Sequence, residues 1–307
     1  MFNIEKIREE TDITGAGDWN DDDYVDAPTK GLLFTWKFLQ NTATDATLAH
    51  LLTQMGSVLQ VKDKRQGLIV DYAQLADWFY CEWYRAKNAP NIHGSNDTDN
   101  YIITITAPIW FGNPFNPHQG LDVRGLTSKV TSPASANNLD TDTLSVHQII
   151  CPKANFTEFI KHEKVDYTPT SGGWKKLPLY VTPLGRKIKY VIFYQTTGRD
   201  ASATDTITID QIEMWKDGSI GIGRFYADLL INLGIPSGFV SQTNLALTGV
   251  QHWLGNYMVF DFMRLNNGYP YVPSREGVKR KLEFNIYGGD ANAVRMNEFS
   301  LLTPKRS

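Results

Sequence analysis

The sequence NYMVFDFMRLNNGYPYVP, residues Asn256 to Pro273, resembles a segment that the chain contains 156 residues earlier. The earlier copy, Asn100 to Pro117, is NYIITITAPIWFGNPFNP. Both copies begin with Asn-Tyr and an apolar run typical of a β-strand. Both continue into a loop of Gly, Pro and aromatic residues, in which Gly112 matches Gly268 and Pro-Phe-x-Pro matches Pro-Tyr-x-Pro. The pair indicates that the chain holds two copies of one module, and this decides the fold.

Weaker matches elsewhere in the chain fall at nearly the same separation. They are Gly120 with Gly277, Ala73-x-Leu75 with Ala227-x-Leu229, and Pro152-Lys153 with Pro304-Lys305. Internal similarity at a fixed separation is the signature of a repeated architecture. A chain of 307 residues also exceeds the length at which a single core usually divides into two.

Within each module the apolar pattern is mainly that of short strands. Leu32–Phe38 in the first copy corresponds to Ile188–Tyr194 in the second, and 281–287 alternates with Leu282, Phe284 and Ile286 directed inward. Each module has about eight such runs, the size of an eight-stranded sandwich built from two Greek keys. The predicted fold is therefore mainly β, with two tandem eight-stranded jelly-roll sandwiches (a double jelly roll) and short inserted helices.

Helices are predicted at a few places between the strands. They are residues 4–10, residues 71–79 with Asp71 as the N-cap, residues 155–165, and residues 224–233 ended by Gly234. The predicted organisation is an N-terminal arm over residues 1–30, a first jelly roll over 31–154, a linker with a short helix over 155–178, and a second jelly roll with the C-terminal tail over 179–307.

Composition excludes several classes of protein. A net charge of −3 and the lack of a basic stripe argue against specific nucleic-acid binding. The two cysteines, Cys81 and Cys151, lie far apart, so we expect reduced thiols rather than a disulfide framework. The charged N-terminus lacks the apolar run of a signal peptide, and no run is long enough to span a membrane. We therefore expect synthesis and folding in a cytoplasm.

Catalytic and metal-binding patterns are sparse. Glu158 and His162 have the i, i+4 spacing of a metal pair but lack a nearby third ligand. The acidic run 18–23 lacks the ligand spacing of a calcium loop. Asp210, Glu213 and Asp217 could supply paired acids only if the fold brought them to glycosidase distances. The prediction is an enzymatically inactive protein with no catalytic, cofactor-binding or metal-binding residues.

Five aromatic residues are the candidate functional residues, because aromatic side chains in Pro/Gly/Asn loops are costly to leave in water. They are Trp110, Phe111, Phe115, Tyr269 and Tyr271. Either the loops fold back on the sandwich, or another subunit covers them, or they bind a ligand. We predict that these loops form subunit interfaces.

The two-module plan resembles the double jelly-roll major capsid proteins of tailless icosahedral viruses and bacteriophages, many of which contain an internal membrane. The resemblance rests on the repeat of 100–117 at 256–273 and on the strand, turn, strand and helix order predicted over 207–230. It is a resemblance of architecture over residues 31 to 305, without a diagnostic motif.

The resemblance implies a structural coat protein of the virion, made in the host cytoplasm, that assembles as a pseudo-hexagonal homotrimer into an icosahedral shell. Its partners would be other copies of itself and neighbouring capsomers, with minor capsid or penton proteins and an internal membrane as further candidates. No cofactor is implied. The alternative is a glycan-binding or glycan-processing double β-sandwich protein, because tandem jelly rolls also occur in proteins of those classes. A cupin-type enzyme would require a His-rich metal signature that this sequence lacks.

Overall fold

The computed structural model describes most of the chain in two compact units. The residues described are 3–12, 17–40, 58–72, 74–86, 91–93, 101–132, 139–168, 173–177, 186–195, 209–216, 220–226, 229–230, 256–265, 267–271, 282–288 and 293–305. The first unit takes its described residues from 1–161 and 303–307, and the second from 162–302. No helix within these ranges has the length and apolarity needed to cross a membrane.

The first unit contains ten described strands and one helix. They are β1 Asn3–Asp12, β2 Gly17–Asp21, β3 Pro28–Gln40, β4 Val58–Asp63, β5 Gly67–Tyr72, α1 Leu75–Ala86, β6 Asn91–His93, β7 Tyr101–Trp110, β8 Leu121–Asp122, β9 Thr127–Ser132 and β10 Leu139–Ile150.

Two antiparallel sheets form this unit. Sheet A has the order β1-β10-β3-β7-β6, with β8 paired to the start of β3, and sheet B has the order β2-β9-β4-β5. Strand β3 alternates cleanly, because Phe34, Trp36 and Phe38 are fully buried while Leu33, Thr35 and Lys37 between them are half-buried. Sheet A therefore has one face in the core and one face directed outward.

The second unit repeats this plan with eight described strands. They are β11 Phe159–Tyr167, β12 Gly173–Lys176, β13 Lys187–Gln195, β14 Gln211–Lys216, β15 Ile220–Tyr226, β16 Tyr257–Asp261, β17 Leu282–Gly288 and β18 Val294–Leu302, with a short helix α2 at Phe262–Leu265. Sheet C has the order β11-β18-β13-β16, and sheet D has the order β12-β17-β14-β15.

The two units have the same topology. When β6 and β8 are set aside, each unit has eight strands, joined in the orders 1-8-3-6 and 2-7-4-5, which is the arrangement of a jelly roll. Strands β7 and β16, which begin the repeated segment, are the sixth strands of their units and pair with the third strands β3 and β13. The predicted double jelly roll is confirmed, as is the equivalence of the strands that begin the segments 100–117 and 256–273.

Aromatic and aliphatic side chains fill each sandwich. In the first unit Trp78 of α1 packs on the core face of β3, with its ring centroid 5.3 Å from that of Trp36. In the second unit Phe193, Phe260 and Phe284 form a cluster with centroids 5.1–5.9 Å apart, in which Phe193 packs edge-to-face on the other two rings. Such contacts add about 0.5–1.5 kcal/mol per pair beyond the burial of apolar area.

Four local predictions are wrong. Residues 4–10 form strand β1, and residues from Phe159 to Val165 lie in strand β11, because each segment pairs with the last strand of its unit. Asp71 does not cap a helix: it lies in β5 opposite Gln60, and α1 begins at Leu75. The helix predicted over 224–233 does not begin at residue 224, because residues 224–226 belong to β15. Residues 229 and 230 are helical, and residues 231–234 lie outside the described residues.

Gly31 lies in β3 where backbone atoms of the neighbouring strand come closest. A Cβ atom at this position would lie 2.3 Å from the carbonyl oxygen of Ile109, which is inside van der Waals contact. A side chain here would push β3 away from β7, so the glycine is required by a close approach of two strands.

We predict that Gly31→Ala lowers the free energy of unfolding by about 1–3 kcal/mol, the usual cost of overpacking a filled core. The measurement is urea denaturation followed by tryptophan fluorescence, with Gly17→Ala as the control. Gly17 also lies in a strand of the first unit, but a Cβ there has no neighbour within 4 Å. Equal midpoints for the two variants would contradict the assignment.

Candidate functional site

The loop after β7 is held in place by one buried lysine. Lys30 is 3% exposed, and its ammonium donates hydrogen bonds to the carbonyl oxygens of Asn116 and Gln119, the second at 2.5 Å. The ring of Phe156 lies 5.3 Å from the same nitrogen, within cation–π range. Burial lowers the pKa of Lys30, but the two carbonyls and the ring replace much of the water that the ammonium loses.

The same loop is closed by side chain to backbone bonds. Asn113 accepts a hydrogen bond from the backbone N–H of Phe115, and Asn116 accepts one from that of His118, each at 2.9 Å. The backbone N–H of Asn113 donates to the side-chain oxygen of Gln119 at 2.9 Å. These are the local turns that Asn favours, and they give residues 111–120 a defined shape at one end of the sandwich.

Gly112 and Gly120 are both required by close approach. A Cβ on Gly112 would lie 2.5 Å from the Cβ of Gln119, and a Cβ on Gly120 would lie 2.6 Å from the ring of Phe156. The backbone N–H of Gly120 donates to Glu158 at 3.0 Å, and that of Ile160 donates to Phe111 at 2.8 Å. The loop is therefore packed against the segment that follows β10.

The five aromatic candidates divide into two groups. Phe111 is fully buried, and Trp110 and Tyr271 are half-buried. Tyr271 exchanges two backbone hydrogen bonds of 2.9 Å with Ile188 and lies against the core of the second unit. Phe115 is 86% exposed and Tyr269 is 70% exposed. Folding back on the sandwich thus accounts for three of the candidates, while Phe115 and Tyr269 project into solvent from equivalent loops.

An open pocket of about 340 Å³ adjoins Phe115. Its wall is apolar where Pro114, Pro117 and Phe156 line it, and Lys30 lies at its edge. Phe115 and this pocket together form a projecting ring beside a concave surface, both within the first unit.

The described part of the second unit's loop is held by different contacts. Asp261 caps α2 by accepting a hydrogen bond of 3.2 Å from the backbone N–H of Arg264. Gly268, with φ of 90°, ends the turn and donates to the carbonyl of Met263 at 2.7 Å. Left-handed backbone after a helix favours glycine. The four-residue helix therefore replaces part of what is continuous strand in β7.

A buried polar network links α1 to the start of the first loop, and sequence reasoning missed it. Glu82 is 1% exposed and forms an ion pair with Arg85. It also accepts hydrogen bonds from the hydroxyl of Tyr72 at 3.3 Å and the backbone N–H of Trp110 at 3.4 Å, and Arg85 donates to the carbonyl of Trp110 at 2.9 Å. Desolvation raises the pKa of Glu82, although Arg85 opposes the shift.

The carboxylates considered for metal binding or catalysis have protein partners. Asp18 pairs with Lys129 at 2.7 Å, and Asp21 pairs with Arg8. Glu213 pairs with Arg224 at 2.5 Å, while Asp217 lies outside the described residues.

Glu158 and His162, which have the spacing of a metal pair but were not predicted to bind one, also have protein partners. Glu158 accepts a hydrogen bond from Gln119 at 3.3 Å, and His162 bonds to Asn297 at 2.9 Å. Within the described ranges, no three His, Cys, Asp or Glu residues lie close enough together to hold a metal ion.

An exposed aromatic row crosses the outer face of sheet D. Trp174, Tyr287, Gln211 and Tyr226 lie in register on four adjacent strands, with the three rings 39–56% exposed. The guanidinium of Arg224 lies 5.0 Å from the centroid of Trp174.

Comparison with known proteins identifies the fold but not a sequence family. The sequence matches no protein-family model and no curated protein. The chain has the double jelly-roll fold of solved major capsid proteins. It is similar to the major capsid protein of Sulfolobus turreted icosahedral virus, with a TM-score of 0.72, 8% identity, and coverage of 99% of this chain and 97% of that chain.

A second solved structure supports the same conclusion. The major capsid protein P2 of bacteriophage PM2 matches with a TM-score of 0.64 and 11% identity, covering 100% of this chain and 99% of that one. Both matches span both units, so the likeness concerns the whole tandem arrangement and not one sandwich alone.

The buried network around Glu82 should make the free energy of unfolding decrease as the pH rises. Burial in the folded state raises the pKa of Glu82 above its unfolded value near 4.5. The protonated carboxyl therefore stabilises the folded state fully below pH 4.5, and this stabilisation is lost as the pH rises through the folded pKa. Glutamine does not titrate, so we predict that Glu82→Gln lacks this loss of stability with rising pH. The difference in unfolding free energy between the variant and wild type should then change with pH above about 4.5.

The measurement is urea denaturation of both proteins at a series of pH values from 4 to 8. Glu5→Gln, on an exposed residue of β1, is the matched control and should leave the difference constant. A pH-independent difference for Glu82→Gln would show that the carboxyl titrates as it does in the unfolded chain.

Proposed function

We propose that this chain is a major capsid protein that assembles as a pseudo-hexagonal homotrimer and forms an icosahedral virion shell. The observation that carries the proposal is that both jelly rolls, in tandem and over almost the whole chain, match two solved major capsid proteins at TM-scores of 0.72 and 0.64. A coat protein acts through permanent interfaces that bury large areas, and such a function needs no enzymatic site.

The exposed aromatic residues support self-association. Phe115 and Tyr269 occupy equivalent loops of the two units, and each is at least 70% exposed. Tyrosine and phenylalanine are enriched in the cores of protein interfaces. We place both rings in contacts between copies of the chain, either within a trimer or between neighbouring trimers in the shell.

A glycan-binding function is the second candidate, and the aromatic row on sheet D is the observation that favours it. Trp174, Tyr226 and Tyr287 present exposed rings beside Gln211 and the Glu213–Arg224 pair. Sugar rings stack on exposed aromatic side chains and bond to amide and charged groups of this kind. The Arg224 guanidinium over Trp174 already occupies part of that surface, which makes this the weaker candidate.

We predict that the purified chain forms a trimer of about 104 kDa, three times the 34.7 kDa of one copy, that persists on dilution to nanomolar concentration as large apolar interfaces do. Light scattering coupled to size exclusion measures the mass, and larger shells or sheets also support the proposal. A monomer at every concentration contradicts it, and a monomer that binds oligosaccharides establishes the glycan alternative.

We also predict that the double variant Phe115→Ser, Tyr269→Ser weakens assembly without unfolding the chain. Truncating exposed side chains changes monomer stability by only about 0.5 kcal/mol, whereas aromatic residues in an interface contribute about 1–2 kcal/mol or more each. Trimer dissociation, or shell formation if the rings lie between trimers, should shift to at least tenfold higher concentration.

The control is Val25→Ser, which removes an exposed apolar side chain (46% exposed) outside the two loops. It should leave the assembly curve unchanged. If the loop variant and the control behave alike in both trimer and shell assays, the two loops do not form interfaces.

A further inference from the structure

The pocket beside Phe115 contains a buried positive charge without a negative partner among the residues that the structure describes. Lys30 is 3% exposed, and the contacts of its ammonium there are the carbonyl oxygens of Asn116 and Gln119 and the ring of Phe156. An ammonium has three N–H donors, so one of them has no acceptor in the described part of the chain. A buried charge is costly unless it is paired, and this one lines an open pocket.

The other polar groups of the pocket do not supply the missing negative charge. Lys153, which is exposed, adds a second positive charge, and no Asp or Glu lies among the described residues that line the pocket. Cys151 is half-buried there, and burial raises the pKa of its thiol. The thiol is therefore protonated at neutral pH, and the pocket carries a net positive charge that favours an anion.

The remaining wall of the pocket is apolar. It is formed by Pro114, Phe115, Pro117, Ala154 and Phe156. The volume of about 340 Å³ lies at the lower end of the range in which proteins bind small molecules. Positive charge beside an apolar wall of this size fits a small anion that has a hydrocarbon body.

The walls of the pocket are held in place without a ligand. The backbone N–H of Ala154 donates to the carbonyl of Cys151 at 2.9 Å, and that of Cys151 donates to Pro28 at 2.7 Å. The ring of Phe156 packs so closely on Gly120 that a Cβ there would lie 2.6 Å from it. Because these groups are already ordered, a ligand would lose little free energy in ordering them.

We propose that this pocket binds a small amphiphilic carboxylate of the fatty-acid class. The carboxylate pairs with the ammonium groups of Lys30 and Lys153, and the hydrocarbon body lies against Pro117 and Phe156. The inference concerns the first unit alone and goes beyond the proposed function, because assembly does not require a bound small molecule.

Ligands that have only one of the two properties fit the pocket less well. A neutral apolar molecule would cover the wall and leave Lys30 buried without a counter-charge, at a higher cost than before because water would be excluded. A small hydrophilic anion would pair with the lysines and leave the apolar wall in water. The combination of a carboxylate and a hydrocarbon chain satisfies both parts of the surface.

The first test compares three probes by isothermal titration calorimetry with the full chain. Decanoate should bind at one site per chain. Decan-1-ol, which has the same hydrocarbon chain without the charge, should bind about tenfold more weakly, as the loss of a charged hydrogen bond predicts. Acetate, which keeps the carboxylate without the chain, should show no saturable binding. Absence of decanoate binding, or equal affinity for decanoate and decan-1-ol, overturns the proposal.

Two variants locate the site and leave Lys30, which also holds the loop, in place. Lys153→Glu reverses an exposed charge and should weaken decanoate binding about fivefold. Ala154→Trp fills the pocket and should weaken it by roughly tenfold or more. The control is Lys62→Glu, which makes the same charge reversal at an exposed position of β4 outside the pocket and should bind as wild type does. If all three variants bind decanoate equally, the site lies elsewhere and the proposal fails.

The native thiol in the pocket provides a second measurement on the unmodified chain. The chain has two cysteines, and Cys81 is fully buried in α1, so N-ethylmaleimide should alkylate Cys151 first. Saturating decanoate should slow alkylation of Cys151 about tenfold, as mass spectrometry of the peptides measures, whereas acetate should leave the rate unchanged. An unchanged rate with decanoate overturns the proposal. If self-association alone protects Cys151 and decanoate does not bind, a second copy fills the pocket, which also overturns it.

Discussion

Both units depend on one repeated interaction, the antiparallel pairing of their third and sixth strands. Strand β3 pairs with β7 over ten residues from Gly31 to Gln40, and β13 pairs with β16 over five. The last strand of each unit pairs with the opposite edge of the third strand, so the third strand has a partner on both sides. These three strands present a continuous row of buried aromatic and aliphatic side chains. The second sheet of each unit packs against that row to form the core.

The repeat in the sequence predicted this equivalence correctly, although the matched residues do not always have the same physical role. Gly112 is needed because the Cβ of Gln119 would clash with a side chain. Its counterpart Gly268 is needed because φ is 90° after a short helix. A glycine in both copies marked a loop at the end of the sixth strand, but sequence alone could not say whether close approach or left-handed backbone required it.

Two of the wrong helix predictions have a common cause. Strands β1 and β11 carry charged residues at frequent intervals, and in both cases the apolar residues fit a helix as well as an edge strand. Pairing with the last strand of each unit, more than 100 residues away in sequence, decides the conformation. The network of Glu82 and Arg85 was unpredictable for a related reason: its other members, Tyr72 and Trp110, come from strands on either side of α1.

Two copies of one topology have acquired different outer surfaces, and this difference carries information that the shared fold does not. Sheet D presents exposed aromatic rings, whereas the equivalent sheet B presents Asp18, Asn20 and Lys129. Strands β16 and β18 of sheet C are buried along almost their whole length, whereas β3 of sheet A alternates between buried and half-buried residues. Unequal surfaces on equivalent units fit the proposed assembly of several copies, in which the two units need not make the same contacts.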